Sequence, residues 1–191
     1  MEIFELLNKK TDVLHTILTD TLQNNSVTLD NSFKLFVKTL KNGNTVFWCG
    51  NGGSASESSH LATELIGRFK KKRGSLPSIS LNSDSSAITC IANDFGYDEI
   101  FSRQFDGLAK SGDILIVLST SGLSLNILEV LKTARSKGCA SIALLGKNGG
   151  AAKTLADYSI VVESDETARI QEVHLLIGHT FCELAETDLG F

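Results

Sequence analysis

One proline in 191 residues, and four cysteines without a C-x-x-C pair, set the first limits on this chain. The lone proline, Pro77, opens a predicted strand, where a missing N–H costs least. No low-complexity segment, short-period repeat or domain linker interrupts the sequence. Cys49, Cys90, Cys139 and Cys182 are widely scattered, several in apolar surroundings. That usage fits a reducing cytosol better than a disulfide framework. An excess of positive charge is missing too: a formal net charge of −4 and a pI near 5.6 argue against a nucleic-acid partner. The single basic cluster, Lys70-Lys71-Lys72-Arg73, reads as favourable charge at a helix C-terminus running into a solvated loop. No apolar run approaches the ~20 residues needed to cross a bilayer, and the acidic start Met1-Glu2-Ile3-Phe4-Glu5 lacks the pattern of a signal peptide. The expectation is a cytoplasmic protein with no membrane partner. The nucleotide fingerprints G-x-G-x-x-G and G-x-x-x-x-G-K-[ST] are absent as well.

Against these absences stand two small-residue loops, each directly after a short apolar run. Gly50-Asn51-Gly52-Gly53-Ser54 follows Val46-Phe47-Trp48-Cys49, and Ser119-Thr120-Ser121-Gly122 follows Ile114–Leu118. Each run is too short for a helix and reads as a buried strand. Each loop then enters a helical pattern. A strand–loop–helix of this kind aims backbone N–H groups and the positive end of a helix at one spot, which suits a phosphate. The serine and threonine hydroxyls add donors that a glycine-only loop lacks. The chain therefore reads as a binder of a small phosphorylated metabolite.

The remaining order supports one α/β domain over 1–191, large enough to bury a substantial core. Residues 2–24 carry a one-faced apolar stripe, and a second helical stretch over 29–40 stops at Gly43. Residues 1–42 thus read as a helical extension and 43–191 as the core. In that core, apolar runs at 45–49, 78–81, 114–118, 140–145 and 158–162 alternate with helical segments near 54–70, 98–109, 123–137 and 165–188. The alternation predicts a three-layer fold, a five-stranded parallel sheet with helices on both faces. Ligands of such sheets bind beyond the carboxyl ends of the strands, where both loops fall. The N-terminal stripe has no obvious place in that core, so an oligomer is expected.

Few groups can do chemistry. His60 and Glu64, at i and i+4, share one face of the helix that starts at the first loop. In the C-terminal helix Ile170, Val173, Ile177, Phe181 and Leu184 form one apolar face, while Gln171 and His179 fall about 80° apart on another. These four residues read as an N/O ligand set or as an acid–base pair. His174 reads as a satisfied core histidine and His15 as a surface or structural one. Asn93-Asp94-Phe95-Gly96-Tyr97 reads as a turn: it caps the helix near 98–109, or it sets Asn93 and Asp94 against substrate hydroxyls.

As a set these strings resemble the sugar isomerase (SIS) family, and within it the phosphoheptose isomerases. The resemblance rests on Gly50–Ser54, His60-x-x-x-Glu64, Asn93-Asp94-Phe95-Gly96 and Phe101-Ser102-Arg103. It rests equally on Ser119–Gly122 with Ser124, Gly146-Lys147-x-Gly149-Gly150, and Arg169-Ile170-Gln171-Glu172-x-His174. It implies conversion of sedoheptulose 7-phosphate to D-glycero-D-manno-heptose 7-phosphate, the first step toward the heptose of lipopolysaccharide or capsule. It implies a homotetramer with sites at subunit interfaces and one zinc per subunit, held by His60, Glu64, Gln171 and His179. It assigns the phosphate to Ser119, Thr120, Ser121 and Ser124, and the sugar to Asn51, Gly52, Gly53, Glu64, Asn93, Asp94 and Gln171. Where several relatives carry an acidic residue before Arg-Ile-Gln, this chain has Ala168.

The chemistry itself asks for such groups. Interconverting a 2-ketose and an aldose moves one proton between C1 and C2 through an enediol, and another between the two oxygens. Glu64 suits the base and His179 the acid. Two imidazoles, a carboxylate and an amide oxygen equally suit zinc. The two assignments compete for Glu64, because a carboxylate bound tightly to a metal is a poor base. A rival reading within the same family is a non-catalytic tetramer that associates with a replication initiator. His179 together with Gln171, Glu64 and His60 favours the enzyme.

Overall fold

The five apolar runs form strands β1 (Val46–Gly50), β2 (Ser78–Ser80), β3 (Ile114–Ser119), β4 (Ala140–Gly146) and β5 (Tyr158–Val162). They pair side by side in the order β2-β1-β3-β4-β5, every pair parallel. The computed structural model describes residues 2–191. Its helices are α1 (Ile3–Asn24), α2 (Ser26–Lys41), α3 (Gly53–Ile66), α4 (Ser85–Phe95), α5 (Ser102–Leu108), α6 (Leu125–Ser136), α7 (Ala152–Leu155) and α8 (Thr167–Asp188). A 3₁₀ turn, Tyr97–Glu99, precedes α5.

Every residue of β1 and β3 is buried, as a parallel sheet covered on both faces requires. Alternation along the strands divides the core in two. Val46, Trp48, Ile114, Ile116, Leu118, Ile142 and Leu144 point to the layer made by α2, α3 and α8. Phe47, Cys49, Leu115, Val117, Ala143 and Leu145 point to the layer that includes α5 and α6. On the first face Phe36 packs between Trp48 and Phe181, with ring centroids 6.2 and 5.5 Å away. Burying a side chain of this size stabilises by roughly 1.5–3 kcal/mol.

Several expectations change in detail. Residues 26–41 do not lie outside the core: Phe36, Val37 and Leu40 of α2 are buried against the sheet. α1 keeps an open apolar stripe, with Ile3 70 % and Phe4 69 % exposed. The first-loop helix stops at Ile66, short of 70, where Gly67 caps it. The segment expected over 98–109 is a 3₁₀ turn followed by α5. Residues 85–95, read by sequence only from Asn93 on, as a turn, form α4, whose N-terminus is capped by the Asp84 carboxylate accepting from the Ser86 and Ala87 N–H groups at 2.9 Å. No helix among the described residues is long and apolar enough to cross a membrane.

One topological fact positions the site. The chain winds from β1 outward to β2, then returns to place β3 on the other side of β1. The order therefore reverses between β1 and β3, and ligands of open parallel sheets bind at such a switch point. Gly50 pairs with Leu118, so the two small-residue loops leave the sheet side by side.

Candidate active site

The first loop turns at Gly52, whose φ of +58 is reached without strain only by glycine. Gly53 then begins α3, and a Cβ there would collide with the Gln171 carboxamide of α8. The loop thus touches α8 at its first turn. Asn51 is locked in place. Its Nδ2 donates to Asn126 Oδ1 at 2.8 Å, and its Oδ1 accepts from Asn126 Nδ2 at 2.9 Å and from the Tyr97 hydroxyl at 3.1 Å. Asn126 is a buried polar residue in the first turn of α6, so the pair ties the two loops together.

The second loop is braced from within. The Ser119 hydroxyl accepts from the Gly122 N–H at 3.0 Å, and the Ser121 hydroxyl from the Leu123 N–H at 3.2 Å. Each uses a lone pair and keeps its O–H proton for a ligand. Ser124 stands at the N-terminus of α6 without capping it through its side chain. Gly122, at φ +63, leaves no room for a Cβ beside the Gly149 carbonyl of the loop after β4, and Gly146 leaves none beside the Thr120 carbonyl. The four hydroxyl residues 119, 120, 121 and 124 therefore gather at the positive end of α6.

Below the loops, α3 and α8 pack along one another and bring three of the expected groups together. His60 Nε2 lies 2.8 Å from His179 Nε2 and 3.3 Å from Glu64 Oε1. One ligand atom from each of His60, Glu64 and His179 fits within 4.8 Å of the others. Desolvation lowers the His179 pKa, as does the neighbouring His60, while the Glu64 carboxylate opposes them. Two imidazole nitrogens that close share a proton in a hydrogen bond, and two imidazoles with a carboxylate are also the donor types that zinc takes. Gln171 lies two turns earlier on α8, at the first loop.

Other residues take unexpected positions. Asn93 and Asp94 do not form a turn. They occupy the last turn of α4, exposed, with Asn93 Nδ2 donating to Asp94 Oδ1 at 2.7 Å. Their segment reaches the first loop through Tyr97. His174 is fully buried but only half-satisfied: Nε2 meets the Leu145 carbonyl at 3.1 Å, while Nδ1 has no partner. Burial lowers its pKa to about 4. Glu57, one turn before His60, is pushed up to about 7 by burial, and one of its oxygens lacks a partner. Asn126 and Phe69 were not singled out by sequence, and Tyr97 entered only as the end of the Asn93–Tyr97 string. Asn126 left a trace, as an amide between Leu125 and Ile127.

Comparison with known proteins places this geometry in context. The SIS-domain family pattern matches residues 11–146. A phosphoheptose isomerase of Aliarcobacter butzleri is 50% identical over 162 residues, 85% of this chain and 86% of that protein. Among solved structures, a phosphoheptose isomerase from Francisella tularensis superposes with a TM-score of 0.91 at 33% identity, covering 98% of this chain and all (100%) of that one. That from Neisseria gonorrhoeae gives a TM-score of 0.89 at 32% identity, over 97% and 100%.

Proposed function

This chain belongs to the SIS-domain family and, within it, to the phosphoheptose isomerases, and from that premise we propose how its own residues divide the work. The reaction is the aldose–ketose isomerisation of sedoheptulose 7-phosphate to D-glycero-D-manno-heptose 7-phosphate. The observation that carries the assignment is the His60–Glu64–His179 cluster beside two loops at the switch point. Ser119, Thr120, Ser121 and Ser124 bind the phosphate with their free hydroxyl protons and the α6 N–H groups. Asn51, Gly52, Gly53 and Gln171 line the sugar chain, and Asn93 and Asp94 meet its hydroxyls from α4. Glu64 takes the proton from one of C1 and C2 and returns it to the other, while His179 moves the proton between the two oxygens.

Zinc, one per subunit, would be held by the same His60, Glu64 and His179 with Gln171, an assignment that competes with the acid–base roles of Glu64 and His179 and is separated from them by zinc content measured beside activity. When bound it would polarise the substrate carbonyl. The open apolar stripe of α1 and the groove lined by Leu18, Leu22, Phe33, Leu176 and Leu184 support a homotetramer. We assign the enzyme to the cytoplasm and its product to the heptose of lipopolysaccharide or capsule. The decisive experiment incubates zinc-loaded protein with sedoheptulose 7-phosphate and monitors aldose formation. Absence of aldose from folded protein at high concentration would overturn the function.

A further inference from the structure

The basic cluster that sequence reading assigned to a solvated loop is not solvated at its end. The Arg73 side chain is fully buried, and its Nε donates to Glu186 Oε1 at 2.9 Å. Its Nη atoms donate to the carbonyls of Leu65 at 2.8 Å and Glu64 at 2.7 Å, capping the last turn of α3. The same Glu186 carboxylate accepts the backbone N–H groups of Phe69, Lys70 and Lys71 at 3.1, 3.0 and 2.9 Å. Burial alone would raise the Glu186 carboxyl, but those N–H donors and Arg73 outweigh it and hold the group below its ordinary range. One buried carboxylate thus gathers the whole segment from 69 to 73.

What the segment carries is an aromatic ring. Phe69 stacks on the His179 imidazole, centroids 5.3 Å apart and planes 17° from parallel. The Lys70 ammonium lies 5.6 Å from the Phe69 centroid and is itself paired with Glu183 at 2.7 Å. His179, Glu183 and Glu186 stand at i, i+4 and i+7, one stripe of α8, and each meets this segment. His179 therefore has Phe69 on its face while its Nε2 meets His60.

We infer that residues 69–73 form a brace in which Glu186 and Arg73 seat Phe69 on the His179 ring, making Phe69 and Glu186 positioning residues for that imidazole. The inference rests on the reading of His179 as a working group of the site. An imidazole bonded only through Nε2 can still swing about its χ angles, and small misplacements of a reacting group cost large factors in rate. A flat apolar ring on its face removes that freedom without competing for its nitrogens.

The test compares Phe69→Leu, Phe69→Tyr and Glu186→Gln with the parent enzyme, with His179→Ala as reference. Phe69→Leu should lower kcat about tenfold or more with KM unchanged. It should also move the His179 ring-proton resonances downfield, because the shielding of the stacked ring is lost. Phe69→Tyr keeps the ring and should restore both. Glu186→Gln turns an NH₂ group toward backbone donors and should reproduce both effects; should it fail to fold, Phe69→Leu decides alone. Parental kcat and unshifted resonances in Phe69→Leu would overturn the brace. Full turnover by His179→Ala would instead overturn the role of His179, and the resonance shift would still report on the stacking.

Discussion

The serine loop over 119–124 and the seam between α3 and α8, proposed to serve one site, are built in different ways. The loop is one short stretch that holds itself, through Ser119 to Gly122 and Ser121 to Leu123. The seam joins His60 to His179 across 119 residues of sequence, and it depends on the packing of two helices, on Gln171 at Gly53 and on the segment tied to Glu186. A self-contained loop can bind the same anion in many proteins of one fold. A seam assembled from distant parts can change its chemistry through either helix. Anchoring and reactivity should therefore separate experimentally, the loop governing KM and the seam governing kcat.

The largest effect that could break this division lies in the seam. Glu64→Gln and His179→Ala should each lower kcat by ~10²–10⁴-fold while the fold survives. Zinc content measured in parallel sharpens the result: activity lost with zinc retained supports acid–base work, and loss of both supports ligation. Near-normal isomerisation by both variants would overturn the roles assigned to Glu64 and His179. Next in size, Ser119→Ala combined with Ser121→Ala should raise KM steeply, each lost charge-assisted bond being worth roughly 1.5–3 kcal/mol. A fall in kcat with KM unchanged would erase the distinction between loop and seam.

Acid should also separate the two regions, because only the seam helix carries a buried histidine without a full set of partners. His174 has its pKa lowered to about 4, whereas an unfolded histidine titrates near 6.5. The unfolded chain therefore binds the proton first, and stability falls as pH drops from about 6.5 to about 4, by about 3 kcal/mol in all. Glu57, raised to about 7, works in the opposite direction over part of this range. Denaturant melts of the parent against His174→Gln isolate the histidine, and equal pH slopes would refute its share. Smaller still is Gly122→Ala, which puts a methyl at positive φ against Gly149 and should cost ~1–3 kcal/mol of stability. Its KM should rise with kcat held, whereas Gly53→Ala, which pushes on Gln171, should reach the seam.

The same contrast explains what was legible in the sequence. Five strands and both loops follow from local signals, since apolar runs and glycine–serine turns declare themselves within a few residues. Helix α4 was hidden because none of its residues is fully buried. Its β-branched Ile88 and Ile91 favour strand over helix and its Asn-Asp-Phe-Gly end reads as a turn, although Asp84 was a cap in plain view. His60, Glu64 and His179 could be named from helix faces and resemblance, but their meeting is a tertiary fact. The burial of Arg73 was illegible, because its partner lies 113 residues away.

The reciprocal amide pair of Asn51 and Asn126 bears on how the protein ages. Asn42-Gly43, Asn51-Gly52 and Asn148-Gly149 are the steps at which a side-chain amide is most easily attacked by the next backbone nitrogen and lost as ammonia. Attack requires the amide to swing toward that nitrogen. Asn42 and Asn148 are exposed, but Asn51 is held by three hydrogen bonds. Conversion of Asn51 to a carboxylate would set a negative charge against the Asn126 carbonyl oxygen, beside the loop proposed to receive an anion. The locked pair therefore works as a chemical preservative for the one Asn-Gly step the site can least lose. Peptide mapping of stored protein should find the new carboxylates at 42 and 148 well before any at 51.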